Sequence, residues 1–513
     1  MKLDGLAKLF NRVTADFGAP ALWQSSVPQL VLMAKRQAEL YHSTAVRQMQ
    51  RELHHLFDSD PRDLMVRMFS ESHPRSLQHW LKGDNNGLRY MNVVKTIVET
   101  LAVMYHRPPE FWLERDGERL PPEHPESVQW RADIADGGIA ASLQTLDTWT
   151  CLFRTTLCQP AWVHGRVQWL VHAPYLYAVF QDPDDPASVE TAPLVSIELP
   201  QLVDTVGHSR PSHFMSWVQD ADGWRCYMHD AGGRMFINPL FPDNVNGYGL
   251  QPFTVWRPYE PAPGEFFLPP DEVLWAFQRN VNAQLTWLDF ALRYQAAAVP
   301  VFTNAAGEKA DPTLSPAEPL VLISDRADFK FAQPQPNIKQ LEDAIENALR
   351  WEAVSRGLPP DTWSKDGATR NLAAKKMEAA ALEMQRERRR PFYDVALRRT
   401  FEVHKVVGNY HAAETGRTRY SADTRLGYEL ASVPVPVDTF QETQANVSRF
   451  RDGTWSPVDQ IQRERGCTKS EARRIWERNL EDAKMLPPTH PGSQASPAAG
   501  GTQRPPDVQA SSA

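Results

Sequence analysis

The sequence predicts an α+β chain, mainly helical, and three features carry that expectation. Apolar residues recur at helical spacing in long windows, first at Val94, Ile97, Val98 and Leu101, later at Leu274, Phe277, Val281, Leu285, Leu288 and Leu292. Between residues 148 and 256 the texture changes to short runs rich in Val, Trp, Tyr and Phe, broken by Gly, Pro and Asp, which reads as strands. Proline supplies 42 of the 513 residues, roughly 8% against the usual 5%, so fixed bends and short connectors punctuate both kinds of element.

Taken in order, residues 29–57 read as helix, and 92–106 as a second helix with Met104 and Tyr105 on its apolar face. Arg107-Pro108-Pro109 should stop it, because proline lacks a backbone donor and pushes its predecessor out of helical geometry. Strands are expected at 166–171, 176–180, 194–199, 215–218, 224–228 and 235–237. Asp220-Ala221-Asp222-Gly223 and Gly232-Gly233 supply the turns of an antiparallel meander.

Helix resumes after Pro269-Pro270 with Asp271 as its cap, and the span 271–297 makes a rod roughly 40 Å long. Its other face carries Arg279, Asn280, Asn282, Gln284 and Arg293. Residues 299–336 hold six prolines and three apolar bursts, a small excursion of strands. Asn337 can cap a second rod in which Ile338, Leu341, Ile345 and Leu349 share a face, while Glu342 and Glu346 stand one turn apart on another.

Gly357-Leu358-Pro359-Pro360 ends that rod, and a loop containing Trp363, Lys365 and Arg370 leads into a long helical pattern over 371–407. A kink is expected at Pro391. A helical hairpin over 458–465 and 470–482 follows, with Thr468-Lys469-Ser470-Glu471 fitting a capping box. The tail 487–513 is Pro, Ser, Ala, Gly and Gln, with too little apolar surface to order itself.

Composition bounds the function. At about 150 residues per domain the length gives roughly three compact units. With 42% hydrophobic and 23% charged residues the chain is of ordinary globular make-up. Four scattered cysteines point to a reducing compartment, and no apolar run is long enough to serve as a signal peptide or membrane span. A net charge of −8 disfavours tight general binding to nucleic acid.

The motifs of nucleotide, metal and nucleophile chemistry are missing: no G-x-x-x-x-G-K-[ST], no H-E-x-x-H, no paired C-x-x-C and no G-x-S-x-G. No catalytic residue, metal ligand or cofactor is therefore expected, and the chain reads as a non-enzyme. Asp182, Asp184 and Asp185 could collect a hard cation but fit a capped turn better. The histidines of the strand region, His164, His172, His208, His213 and His229, lack ligand spacing and read as hydrogen-bonded sheet residues. Arg386, Arg388, Arg389 and Arg390, interleaved with Glu383 and Glu387, suit an ion-paired face or a subunit contact. Lys365 and Arg370 lie on either side of Gly367, where two cations could touch a polyanion; an ordinary solvated loop is the simpler reading.

The order of elements resembles the portal proteins of tailed bacteriophages: helical block, strand block, proline-opened rod, small strand excursion, second rod, loop, long helix, terminal hairpin. Local texture agrees at Tyr90-Met91-Asn92-Val93-Val94-Lys95, at residues 277–282 with Leu288-Asp289, at 338–356 before Gly357-Leu358-Pro359-Pro360, and at Asp452-Gly453-Thr454-Trp455-Ser456-Pro457. The likeness spans about residues 31–486, and the tryptophan-rich strand block departs from it.

It implies a wing over 1–268, with the strand-rich part from about 148, a first stem helix over 269–298, a clip over 299–336 and a second stem helix over 337–357. A tunnel loop over 358–370, a long kinked helix returning to the wing over 371–453 and a crown over 454–486 complete it. It further implies a homo-oligomeric ring, commonly of twelve, in the virion at one capsid vertex, assembled in the host cytoplasm without a membrane. Double-stranded DNA would pass non-specifically through its channel. Terminase large subunit, major capsid or scaffolding protein, and head-completion or tail adaptor proteins would be its partners.

On that reading Trp363, Lys365 and Arg370 form the tunnel loop at the DNA, and Glu342 and Glu346 an acidic channel wall that repels it. Two other readings stay open at this point: a non-conducting capsid scaffold or adaptor, and an enzyme with an unrecognised site in the strand block.

Overall fold

The computed structural model describes residues 27–58, 66, 89–199, 213–220, 223–236, 238–296, 299–303, 328–332, 338–359, 372–431 and 456–485. Within them the chain is α+β, as expected.

The first helical window divides into α1 (Val27–Tyr41) and α2 (Thr44–Asp58). The break falls at Ser43, whose hydroxyl accepts from the Val46 amide and restarts the helix as a side-chain cap. Helix α3 (Val93–Leu101) begins at Asn92, whose side chain accepts from the Lys95 amide. It ends more than a turn before Pro108, because Ala102 leaves helical geometry. Met104 and Tyr105 nevertheless stay buried.

Two elements follow that the periodicity did not separate. Strands β1 (Glu110–Arg115) and β2 (Glu118–Arg119) form a tight hairpin, and helices α4 (Pro125–Gly137) and α5 (Ile139–Phe153) meet at Gly138 in the left-handed region. The expected strand block therefore begins at residue 156 rather than 148.

All strand pairs among the described residues are antiparallel. β3 (Thr156–Val163) pairs with β4 (Arg166–His172) and with β10 (Thr254–Trp256) in one sheet. A five-stranded meander is built from β5 (Tyr177–Phe180), β6 (Leu194–Glu198), β7 (His213–Asp220), β8 (Gly223–Asp230) and β9 (Met235–Phe236). At the turn expected over 220–223, Asp220 pairs with Gly223 across the two strands, and residues 221–222 lie outside the described residues.

Both faces of this meander are covered, and β5 shows why its sequence has no polar alternate. Tyr177 and Val179 point into a core with Leu157, Val195, Trp217 and Val407. Ala178 and Phe180 point the other way, under Val31, Ala34 and Ala38 of α1. Asp182 accepts from the Asp184 amide, so the DPDDP segment is a capped turn. Among the described residues no cluster of His, Cys, Asp or Glu is placed to hold a metal ion, and no helix is long and apolar enough to cross a membrane.

The later chain forms α6 (Glu272–Ala296), the hairpin β11 (Val299–Thr303) and β12 (Asp328–Ala332), α7 (Ile338–Ser355), α8 (Leu372–Thr415), β13 (Arg425–Glu429), α9 (Pro457–Arg465) and α10 (Lys469–Met485). Helix α8 is assigned as one helix across Pro391, longer than its 371–407 pattern. Its second half fills two cores at once, Tyr393, Leu397 and Phe401 in one with Trp130, Trp169 and Trp256, Val403 and Val407 in the other. Strand β13 then pairs with β1, so residues more than 300 apart complete a third sheet.

Several histidines are buried in this body. His172 bonds Gln159 at 2.9 Å, and His229 bonds Ser216 at 2.8 Å. Burial lowers the pKa of His42, stacked on Phe267, to about 3, with nearby Arg47 adding to the effect; burial lowers that of His172 to about 4. Unfolded histidine titrates near 6.5, so the unfolded chain binds more protons below that pH, and stability falls as pH drops. Unfolding free energies from urea titrations between pH 7.5 and 5 should decline below about pH 6.5, by about 1.4 kcal/mol per pH unit for each such histidine. A flat profile would show these rings to be solvated.

Candidate functional site

The two rods and their hairpin form one antiparallel arm. Asp271, where α6 starts, receives both Nη atoms of Arg356, just past the end of α7, at 2.6 and 3.1 Å. Asp271 also accepts from the Leu274 amide at 3.0 Å, so the cap read from the sequence is present. Arg154, at the end of α5, approaches the same carboxylate at 2.9 Å. Burial would raise the Asp271 pKa, but the hydrogen bonds and charge of Arg356, with Arg154 and the Leu274 amide, hold it below the usual carboxylate range. Gly357, at φ 69°, closes α7 by letting the Leu358 amide return to the Ala353 carbonyl at 2.8 Å.

The base of the arm sits in an apolar core. Leu274 and Val281 of α6 and Ile345, Leu349 and Ala353 of α7 pack with Leu53, Leu56, Val94, Ile97, Val98 and Phe153. The polar face of α6 does something the periodicity did not foretell. Gln278, Asn282 and Thr286 are buried and grip the backbone that leads into α3. The Val94 amide donates to Gln278, the Met91 amide to Asn282 and the Arg89 amide to Thr286, at 2.9, 3.0 and 3.1 Å. One turn on, Asp289 pairs with the Arg89 guanidinium at 2.7 Å. Asn282, read from the sequence on the face opposite the apolar stripe, is thus an inward anchor. The i, i+4 spacing of Gln278, Asn282 and Thr286 was the visible signal, but their partners are main-chain groups that no side-chain pattern discloses.

At the far end, β11 and β12 pair from Val299↔Ala332 to Thr303↔Asp328, the excursion of strands expected there. Residues 304–327, between these strands, lie outside the described residues, as does the burst at 320–323.

Helix α7 carries two distinct flanks beside its buried face. Leu341, Ala344, Ala348, Trp351 and Val354 form a second apolar stripe, with Trp351 74% and Val354 49% exposed. Glu342 is exposed and Glu346 half-exposed, the latter paired with Arg350 at 2.9 Å. Trp351 and Glu342 are nine residues apart, about 180° around a helix of 3.6 residues per turn, so the apolar and acidic flanks lie on opposite sides. Trp363, Lys365 and Arg370 lie outside the described residues, as do the segment 1–26, residues 432–455 and the tail 487–513.

The arginine cluster of α8 divides. Arg389 turns inward, donating to Cys151 Sγ at 2.8 Å and to the Leu101 carbonyl. Arg386 is buried beside Glu383 at 3.3 Å, Arg390 pairs with Glu387 at 3.2 Å, and Arg388 is exposed. Two of the four cations therefore hold the fold together and are not free for a partner.

No protein-family model matches the chain, and no curated relative does. Among solved structures it is similar to a chain from the neck of a native gene transfer agent particle computed with C12 symmetry, at 14% identity and a TM-score of 0.37 over 81% of this chain and 95% of that one. It is also similar to a chain from the neck of an empty particle computed with C6 symmetry, at 13% identity and a TM-score of 0.34 over 75% and 92%. A chain from the virion of a native particle is similar at 12% identity and a TM-score of 0.33 over 76% and 94%.

Proposed function

We propose that the chain is a phage portal subunit, a structural protein without a catalytic step. Copies assemble into a ring, of twelve on the family pattern, at one capsid vertex of the virion. The observation that carries the reading is the antiparallel arm of α6 and α7, closed by a small β-hairpin and bearing an uncovered apolar stripe on one flank of α7. A ring needs a heterologous contact that closes by rotation, and a rigid two-helix arm with unlike flanks supplies one side of it. The Leu341 to Val354 stripe is the face that meets the next copy.

With that stripe turned to a neighbour, Glu342 and Glu346 stand on the opposite flank, and Arg350 neutralises part of the latter's charge. Twelve copies at −8 each amount to about −96, so a duplex meets net repulsion rather than a basic trap. DNA slides through without sequence reading, touched by Lys365 and Arg370 of the tunnel loop with Trp363 beside them. Terminase large subunit, and later head-completion and tail adaptor proteins, dock at the clip, and major capsid or scaffolding protein at the wing.

The test is assembly. Purified protein should give rings with a central hole in negative-stain images. Trp351→Asp should abolish them while leaving far-UV circular dichroism unchanged, because the indole is largely in solvent. A wild type that stays monomeric under all assembly conditions sinks the portal reading, and intact rings from the variant sink the interface.

A further inference from the structure

We propose that the terminal helical hairpin, α9 with α10, is held to the body by an electrostatic latch and disengages from it as a unit. The latch is two carboxylates, Glu110 of β1 and Glu429 of β13, which are direct partners in the antiparallel register. Like charges placed opposite one another across strands repel, so this pairing is unfavourable unless something positive lies between them.

The first turn of α10 fills that role. Glu429 accepts from the Lys469 amide at 2.6 Å and from the Ser470 hydroxyl at 3.0 Å. Glu110 accepts from the Thr468 hydroxyl at 3.0 Å and from Arg474 at 2.9 Å. Thr468 also caps the helix, accepting from the Glu471 amide at 3.1 Å. The carboxylates thus meet the positive end of the helix dipole as well as a guanidinium. Arg119 lies 3.7 Å from Glu110, and Lys469, Arg473 and Glu477 line the same groove, about 630 Å³ in volume.

The apolar contribution to docking is small. Among the described residues, none of the four apolar cores includes a residue of the hairpin. Its buried residues at the joint, Cys467, Thr468 and Ala472, are small or polar. The hairpin has its own internal supports, a Ser456–Asp459 capping box and Gly466 in the left-handed region between the helices. Charge-assisted hydrogen bonds at an open groove weaken with added salt, whereas an apolar seat would tighten. The contact is therefore reversible by screening without unfolding either side.

Hydrogen exchange on the full-length protein tests this. In the wild type, raising NaCl from 50 mM to about 1 M, where the screening length falls to roughly 3 Å, should speed exchange at the Lys469 amide, which bonds across the latch to Glu429. The β1–β13 ladder should keep its protection, and so should the Glu471 amide, whose partner Thr468 belongs to the hairpin. In Glu110→Gln/Glu429→Gln at low salt, exchange at the Lys469 amide should be faster by about tenfold or more, given the strength of charge-assisted bonds. Indifference of this amide to both salt and the double substitution overturns the proposal. So does exchange that rises equally in the ladder, since the hairpin would then not release by itself.

Discussion

Asp271→Ala should lower stability by about 3–5 kcal/mol, the cost of leaving a buried ion pair with one partner. In the native protein this carboxylate, 4% exposed, is the meeting point of α5, α6 and α7. Its removal leaves the half-buried Arg356 guanidinium with Glu352 alone, takes the carboxylate from Arg154 and deletes the cap of α6. Because the folded pKa of Asp271 is depressed, its contribution is fully present above the unfolded carboxylate value, near 3.9, and is lost as pH falls through the lower folded value. Denaturant unfolding of wild type and variant should therefore differ by several kcal/mol at pH 7, and the gap should narrow as pH falls below about 3.9. A difference under 1 kcal/mol at pH 7 would mean that the three helices meet without needing this ion.

A loss of similar size, about 3–5 kcal/mol, is expected for Asp133→Ala. One oxygen of Asp133 accepts from His404 Nε2 at 2.8 Å, from the Tyr420 hydroxyl at 2.7 Å and from Arg417, and the other from Gln129 at 2.9 Å. Trp169 donates its indole N–H to His404 Nδ1 at 3.2 Å, which fixes the imidazole as the Nε2–H tautomer. Burial opposes ionisation of Asp133, but His404, Arg417 and Tyr420 outweigh it and hold its pKa low, while burial lowers that of His404. Both shifts remove stability on acidification, the histidine below about pH 6.5 and the carboxylate below about 3.9. Because the network joins α4, β4 and the second half of α8, the variant should lose near-ultraviolet dichroism from Trp130 and Trp169 at a lower temperature than wild type. Unaltered melting at pH 7 would argue that water replaces the carboxylate.

Local chemistry was readable in the sequence wherever the partner lay close in the chain. The cap at Asp271, the pairing of Asp220 with Gly223, the stop at Gly357 and the spacing of both rods are decided by neighbours within a few positions. Elements completed at a distance left no comparable trace. Glu110–Arg115 carries no clean alternation and is completed only by Arg425–Glu429, more than 300 residues on. Asn282 reads only as part of the face opposite the apolar stripe, and no role could be read for Gln278 or Thr286, because the main-chain partners of all three are the same in every sequence. Of the residues assigned to the channel, Glu342 and Glu346 fall on the flank of α7 away from Trp351. The periodicity gave their spacing, but not that Arg350 pairs with one of them.

The pairing of β1 with β13 also constrains the order of events at the ribosome. Trp130 and Trp169 are synthesised early, yet the core around them is closed by Tyr393, Phe401, Tyr420 and Leu426. Until residue 429 has emerged, the nascent chain presents β1 as an open edge and a half-lined cavity of aromatic rings, both adhesive to other chains. The chain is thus most prone to wrong association in the interval between emergence of β4 and emergence of β13. Overproduction without chaperone capacity should accordingly yield aggregates of unfinished chains.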